Sequence, residues 1–210
     1  KYQWWVINKN PEMLVSAVIK GGLYVEIPEF SGTQDEIQTK KWRYYKKHYF
    51  DYFDLSDPRL LRTSQYHQVT NYYIDKVVIQ HPDTISHEID YLLGLTEVCD
   101  DCYKLLLVHF LNKYSKSEII GFDAVYVHLA LNYYAKGKAP WTEKENLEKI
   151  VRNAVELERV LIGKTAPNIY IADRNSNYTY LYDLKTDADF KVIVFYDEDV
   201  CGKCRQVMRE

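Results

Sequence analysis

The sequence lacks several features that mark common classes of protein. Its longest strongly apolar run near the start, residues 13–19, is far shorter than the roughly 20 apolar residues of a membrane-spanning helix. It has no glycine-rich phosphate loop, no Gly-x-Ser-x-Gly and no His-Glu-x-x-His, so the motifs of nucleotide-binding proteins, serine hydrolases and zinc proteases are missing. The six histidines show no metal-ligand spacing. We therefore expect no transmembrane helix, no metal and no cofactor.

An excess of positive charge is also missing. The chain has 27 Lys and Arg against 30 Asp and Glu, a net charge of −3, whereas nucleic-acid binding depends on unbalanced positive charge. One segment, Lys40 to Phe53, does alternate basic and aromatic residues. Trp42, Tyr45 and Tyr49 fall at helical spacing within it, which predicts a buried aromatic stripe with a solvated basic face. We expect no nucleic-acid partner.

Helical patterns occupy residues 11 to about 162. Apolar residues recur there at intervals of three and four, with Pro, Gly and capping residues between the runs. The predicted helices begin near Pro11, Asp35, Ser64, Asp83, Thr96, Ser117 and Thr142. Thr142-x-x-Glu145 is a capping-box pattern, and Gly163 would close the last helix. We predict an all-helical domain over residues 1–162.

The pattern changes at Gly163. Residues 167–173, 177–182 and 191–196 are short β-type segments separated by Asn, Asp and Ser. The third segment leads into Cys201-Gly-Lys-Cys204, a spacing typical of thiol–disulfide exchange sites. At the first turn of a helix, Cys201 would be the attacking thiolate and Cys204 would resolve the mixed disulfide. Cys201 and Cys204 are the candidate catalytic residues.

These residues carry a resemblance. Gly163-Lys-Thr-Ala-Pro167, the apolar segment before the cysteines and Cys201-Gly-Lys-Cys204 together resemble the opening of bacterial envelope thioredoxin-like proteins of the cytochrome-maturation and peroxiredoxin-related type. The resemblance implies a thiol–disulfide oxidoreductase with a protein disulfide or dithiol as substrate, in the periplasm or associated with the cell envelope. Residues 163–210 would be the first part of a thioredoxin-like α/β domain.

The helical part is similar to a domain of unknown function found ahead of such thioredoxin-like domains. The matching phrases lie at residues 57–63, 112–117, 121–129 and 133–141. The chain has no leader pattern at its start and ends six residues after Cys204, so we interpret it as a trimmed piece of a longer protein. Lys203 stands where the common Cys-Gly-Pro-Cys motif has proline, and Val200 where thioredoxins usually have tryptophan.

A second pair, Cys99-Asp-Asp-Cys102, lies within the helix predicted from Thr96. The favoured interpretation is one or two small core thiols. A zinc site shared with Cys201 and Cys204 would match in ligand type, but the pairs are far apart in sequence. A second redox pair is the other alternative, although Asp100 and Asp101 disfavour the thiolate that it needs.

The sequence therefore predicts a mainly α protein with the start of a thioredoxin-like α/β domain at its end. The leading hypothesis is thiol–disulfide exchange in the full-length protein, with this piece inactive alone. A helical binding or interaction module without catalytic activity is the alternative. Because the predicted strands lack neighbours, we also expect that their edges allow self-association.

Overall fold

The computed structural model of the protein describes residues 2–172, 177–185 and 189–193. The chain forms two compact units, residues 1–166 and residues 167–210. The first unit is helical, and the described part of the second contains one small hairpin, so the expectation of a mainly α protein is confirmed. The α-helices of the first unit are α1 Tyr2–Lys9, α2 Leu14–Gly21, α3 Gln34–His48, α4 Ser64–Tyr72, α5 Pro82–Leu95, α6 Asp100–Ser115, α7 Asp123–Leu129 and α8 Lys144–Glu158.

Local sequence signals explain where several of these helices begin. At α3 the Glu36 amide donates to the Thr33 hydroxyl and the Thr33 amide donates to the Glu36 carboxylate, a complete capping box. α5 opens on Pro82, whose fixed φ suits a first turn. The box predicted at Thr142 is wrong, since α8 is preceded by Glu143 and has no side-chain cap. α1 was not predicted.

The core of the helical unit lies around α5, α6 and α7. Helix α7 contacts both α5 and α6, and it also packs against α8. The apolar positions that face one another are fully or almost fully buried, and they include Ile85, Ile89 and Leu92 of α5, Leu106, Leu107 and Phe110 of α6, Val125 and Leu129 of α7, and Ala154 of α8. No helix in the described ranges is both long and apolar enough to cross a membrane.

Two of the helices continue into π-helical turns. α4 runs into the turn Tyr73–Val77, and α7 runs into the turn Ala130–Tyr134. A π-turn holds one residue more than the α-helical pattern, and such turns often lie at functional sites. After the second turn the chain reverses at Gly137, whose positive φ of 72° suits glycine. These turns fall inside stretches that the sequence predicts as uninterrupted helix.

The second unit contains two antiparallel strands, β1 Tyr170–Ala172 and β2 Tyr178–Tyr180. Tyr170 pairs with Tyr180, and its ring also stacks on Tyr178, with ring centroids 5.1 Å apart. Both strands lie within segments that the sequence predicts as β. Residues 191–193 of the third predicted segment have no regular structure, and residues 194–196 lie outside the described residues. Self-association through the strand edges stays a prediction.

Candidate functional site

The first candidate site in the described residues lies where α6 begins. Cys99 and Cys102 form a disulfide, with their Cα atoms 5.2 Å apart. Cys99 is the N-cap of α6 and Cys102 stands on its first turn. The predicted helix from Thr96 would have placed the pair inside a helix. Instead, residues 96–99 form a turn in which the Cys99 amide donates to the Thr96 carbonyl.

The two sulfur-bearing residues differ in accessibility. Cys102 is fully buried, with 0% of its surface exposed, while Cys99 is partly exposed. Val98, the residue before the pair, is 87% exposed. Of the two residues, Cys99 is therefore the one in contact with solvent, and the exposed side chain of Val98 lies next to it in the chain.

The start of α6 also provides the electrostatics that an exchange site needs. The Cys102 backbone amide donates to the Cys99 sulfur over 3.2 Å. This amide and the partial positive charge of the helix N-terminus favour a thiolate at Cys99 once the bond is broken. Asp100 and Asp101, in the first turn of α6, oppose that effect through their negative charge.

The sequence allowed three interpretations of this pair: core thiols, part of a zinc site, or a redox pair. The disulfide bears on the first two. The cysteines are not free core thiols, because they are bonded to each other. A zinc site that includes Cys99 and Cys102 is not formed in this state, because each sulfur is bonded to the other. The sequence-predicted pair, Cys201 and Cys204, lies outside the described residues, so its position relative to Cys99 and Cys102 is not part of the described structure.

A second group of interacting polar side chains is centred on α5. Its Glu88 is buried, with 8% of its surface exposed. One carboxylate oxygen accepts from the Tyr73 hydroxyl at 2.6 Å, and the other lies 2.5 Å from the Lys46 ammonium. Burial and the bond to Glu88 raise the pKa of Tyr73. The cation and the hydroxyl together compensate for removing the carboxylate from water.

Asp90, on the neighbouring face of α5, has a similar set of partners. It accepts from the Tyr133 hydroxyl at 2.7 Å and from His128 Nε2 at 2.9 Å. The other ring nitrogen of His128, Nδ1, lies 3.2 Å from the Asn132 side-chain amide nitrogen. Burial acts to raise the pKa of Asp90, but the bonds from His128 and Tyr133 outweigh it and hold this pKa below its usual value.

Each of the two carboxylates accepts from a tyrosine of a π-turn, which the sequence did not reveal. Tyr73 begins the first π-turn, and Tyr133 lies in the second. Each turn therefore supplies the tyrosine that donates to one acid of α5. The Tyr72-Tyr73 and Tyr133-Tyr134 doublets are visible in the sequence, but helical periodicity alone does not select which tyrosine of each doublet donates to an acid of α5.

His109 lies among other polar side chains of the helical unit. His109 Nε2 donates to Asn71 Oδ1 at 3.0 Å, and its ring lies 4.7 Å from that of His67. Burial, together with the nearby His67 and Lys113, lowers the pKa of His109 to about 4. In the described residues no group of three or more His, Cys, Asp or Glu is arranged to hold a metal ion.

The lowered pKa of His109 predicts a loss of stability in acid. Between its ordinary value of 6.5 and about 4, the unfolded chain binds a proton at this position and the folded chain does not. Stability contributed by neutral His109 is therefore present above this window and falls as the pH decreases through it. We expect the free energy of unfolding in urea to depend less on pH in His109→Gln than in the native protein.

The matched control for His109 is His81→Gln, because the His81 side chain is 63% exposed. This variant should keep the pH dependence of the native protein over the same window. If the free energy of unfolding changes with pH equally in the native protein and in His109→Gln, neutral His109 does not contribute the predicted stability.

Comparison with protein-family models gives a match. The family model described as "Domain of unknown function (DUF5106)" matches residues 8–159. No curated protein matches the chain, and no solved structure matches it. The matched region contains α2 to α8, the Cys99–Cys102 disulfide and both acids of α5. Since it covers well over half of the sequence, the chain belongs to the family of proteins that carry this domain of unknown function.

Proposed function

We propose that the protein carries out thiol–disulfide exchange and that Cys99 and Cys102 are a redox pair of the helical unit. The observation that supports the proposal most directly is their disulfide at the start of α6, with one cysteine partly exposed and the other fully buried. This arrangement provides an accessible sulfur for attack and a protected sulfur as the leaving group.

The proposed reaction needs a dithiol as the electron donor. A donor thiolate attacks the Cys99 sulfur, the Cys99–Cys102 bond breaks, and Cys102 leaves as a thiolate that takes up a proton. The second thiolate of the donor then attacks the donor's first sulfur, which is bonded to Cys99 in the mixed disulfide. The bond to Cys99 breaks, and Cys99 is released as a thiolate. The donor ends as a disulfide and the pair gains two electrons. The reverse sequence passes these electrons to a protein disulfide.

Cys201 and Cys204 belong to the same proposal. The resemblance of residues 163–210 to thioredoxin-like proteins predicts a second exchange pair there, with Cys201 as the attacking residue. A location in the periplasm or cell envelope is also part of the proposal. It is supported by the disulfide, because disulfides persist mainly in oxidising compartments.

The test separates the two pairs by substitution. In Cys201→Ser/Cys204→Ser only the first pair remains, and in Cys99→Ser/Cys102→Ser only the second. Each protein is equilibrated in buffers with an increasing ratio of reduced to oxidised dithiothreitol, and its free thiols are counted by alkylation and mass spectrometry. We expect a reversible two-electron transition of the native, folded Cys99–Cys102 pair, and faster reduction of insulin disulfides than by dithiothreitol alone.

A pair that takes up electrons only when the protein is unfolded in urea would contradict its redox role. The same holds if Cys201→Ser/Cys204→Ser and the variant without any cysteine reduce insulin at equal rates. In that case the disulfide is a structural link, and the alternative of a non-catalytic binding module is favoured.

A further inference from the structure

A cavity of about 600 Å³ opens between α3 and α5. This volume lies within the roughly 300–1,000 Å³ of small-molecule sites. We call it the α3–α5 cleft, and it is lined by Trp42, Arg43, Lys46 and Lys47 of α3, by Tyr73, and by His87, Glu88 and Tyr91 of α5. All of these residues belong to the helical unit.

The cleft has a surplus of positive charge. Lys46 is neutralised by the buried Glu88, which also accepts from Tyr73. Arg43 and Lys47 are exposed, and neither forms an ion pair with any other described residue. Two cations therefore point to solvent beside a floor whose own charges are balanced. An anion bound there would meet Arg43 and Lys47, which pair with no acidic side chain among the described residues.

The walls of the cleft are aromatic. Trp42 and Tyr91 are 36% and 48% exposed. The indole of Trp42 is held in place because its Nε1 donates to the Val77 carbonyl at 2.9 Å. A fixed ring with an accessible surface can pack against a flat apolar group at little cost in side-chain entropy.

We propose that the α3–α5 cleft binds a small organic acid with a flat apolar body. The acid group, a carboxylate or a phosphate, contacts Arg43 and Lys47, and the apolar body packs against Trp42 and Tyr91. The Lys46–Glu88–Tyr73 cluster keeps the floor of the cleft rigid and electrically neutral. This binding does not depend on the redox chemistry of either cysteine pair.

Two fluorescent dyes test the proposal on the whole chain. Anilinonaphthalene sulfonate has a flat apolar body and an acid group, and phenylnaphthylamine has the same ring system without the acid. We expect saturable binding of the sulfonate to one site and weaker binding of the neutral dye. Raising the salt concentration should weaken binding of the sulfonate and leave the neutral dye unaffected.

Substitution locates the site. In Arg43→Gln/Lys47→Gln we expect the dissociation constant of the sulfonate to rise at least about tenfold, because charge-assisted hydrogen bonds are lost, with no change for the neutral dye. Trp42→Ala should weaken both dyes. Lys144→Gln/Lys149→Gln, which removes two exposed lysines of α8, is the matched control and should leave both affinities unchanged. Circular dichroism verifies that each variant is folded.

Competition then identifies the acid group. Displacement of the dye by naphthoate or by naphthyl phosphate would support the proposal and show which acid is preferred. Failure of both to displace it would overturn the proposal. So would equal weakening of the sulfonate by the cleft variant and the α8 variant, because the effect would then follow from net charge alone.

Discussion

Glu88→Ala should lower the free energy of unfolding by about 3 kcal/mol, because removing one partner of a buried ion pair leaves the others uncompensated. The Tyr73 hydroxyl would lose its acceptor inside the core, where Tyr73 itself is only 1% exposed. Lys46 would lose its counter-ion. Urea unfolding at neutral pH, followed by far-ultraviolet circular dichroism, measures the change.

Two further variants test the cause of this loss. Glu156→Ala removes a carboxylate from an exposed position of α8 and should change stability by no more than about 0.5 kcal/mol. Tyr73→Phe should cost less in the Glu88→Ala background than in the native protein, since the hydroxyl is already unpaired there. Additive effects of the Tyr73 and Glu88 changes would show that the two side chains do not stabilise one another.

Phe110→Ala should be at least as destabilising, by about 3–5 kcal/mol, the usual cost of such a cavity in a core. Phe110 is fully buried in α6 and belongs to the main hydrophobic cluster with Leu106 and Leu107. Helix α6 also carries the disulfide at its start, so the loss of packing affects the element that positions Cys102. The shift of the urea midpoint at an unchanged slope is the measurement.

Phe190→Ala is the matched control for Phe110→Ala. It is the same chemical change at a position that is 86% exposed, in the second unit. We expect it to leave the unfolding of the helical unit unchanged within about 0.5 kcal/mol. Similar losses for the two variants would mean that α6 does not form the centre of the core.

The sequence was a good guide to the helical core and a poorer guide to the helix ends. Apolar residues at intervals of three and four identified α5, α6 and α8, because that spacing follows directly from helix geometry. The start of α6 was misplaced by four residues, since Thr96 and Glu97 suit a first turn but form part of the preceding turn instead. α1 has no apolar repeat long enough to be recognised.

The candidate site could be predicted only in part. The spacing of Cys99 and Cys102 is evident in the sequence, yet its meaning depends on where the helix begins. A helix from Thr96 would place both cysteines inside it, whereas α6 begins four residues later and has Cys99, bonded to Cys102, as its N-cap. Glu88 and Lys46 are 42 residues apart, so their pairing depends on how α3 packs against α5. Such long-range pairing leaves no local pattern in one sequence.

The second π-turn makes the partner of Asp90 sensitive to the length of the chain, because Tyr133 lies near the end of that turn. Deleting one residue ahead of Tyr133 within Ala130–Tyr134 would restore ordinary α-helical winding, and the residues of the turn after the deletion would rotate by about 100° around the helix axis. The inserted residue thus acts as a spacer that sets the angular register between the helix and the chain that follows. A shortened chain would keep its composition and its hydrophobic pattern, but it would face the core with different side chains after the deletion.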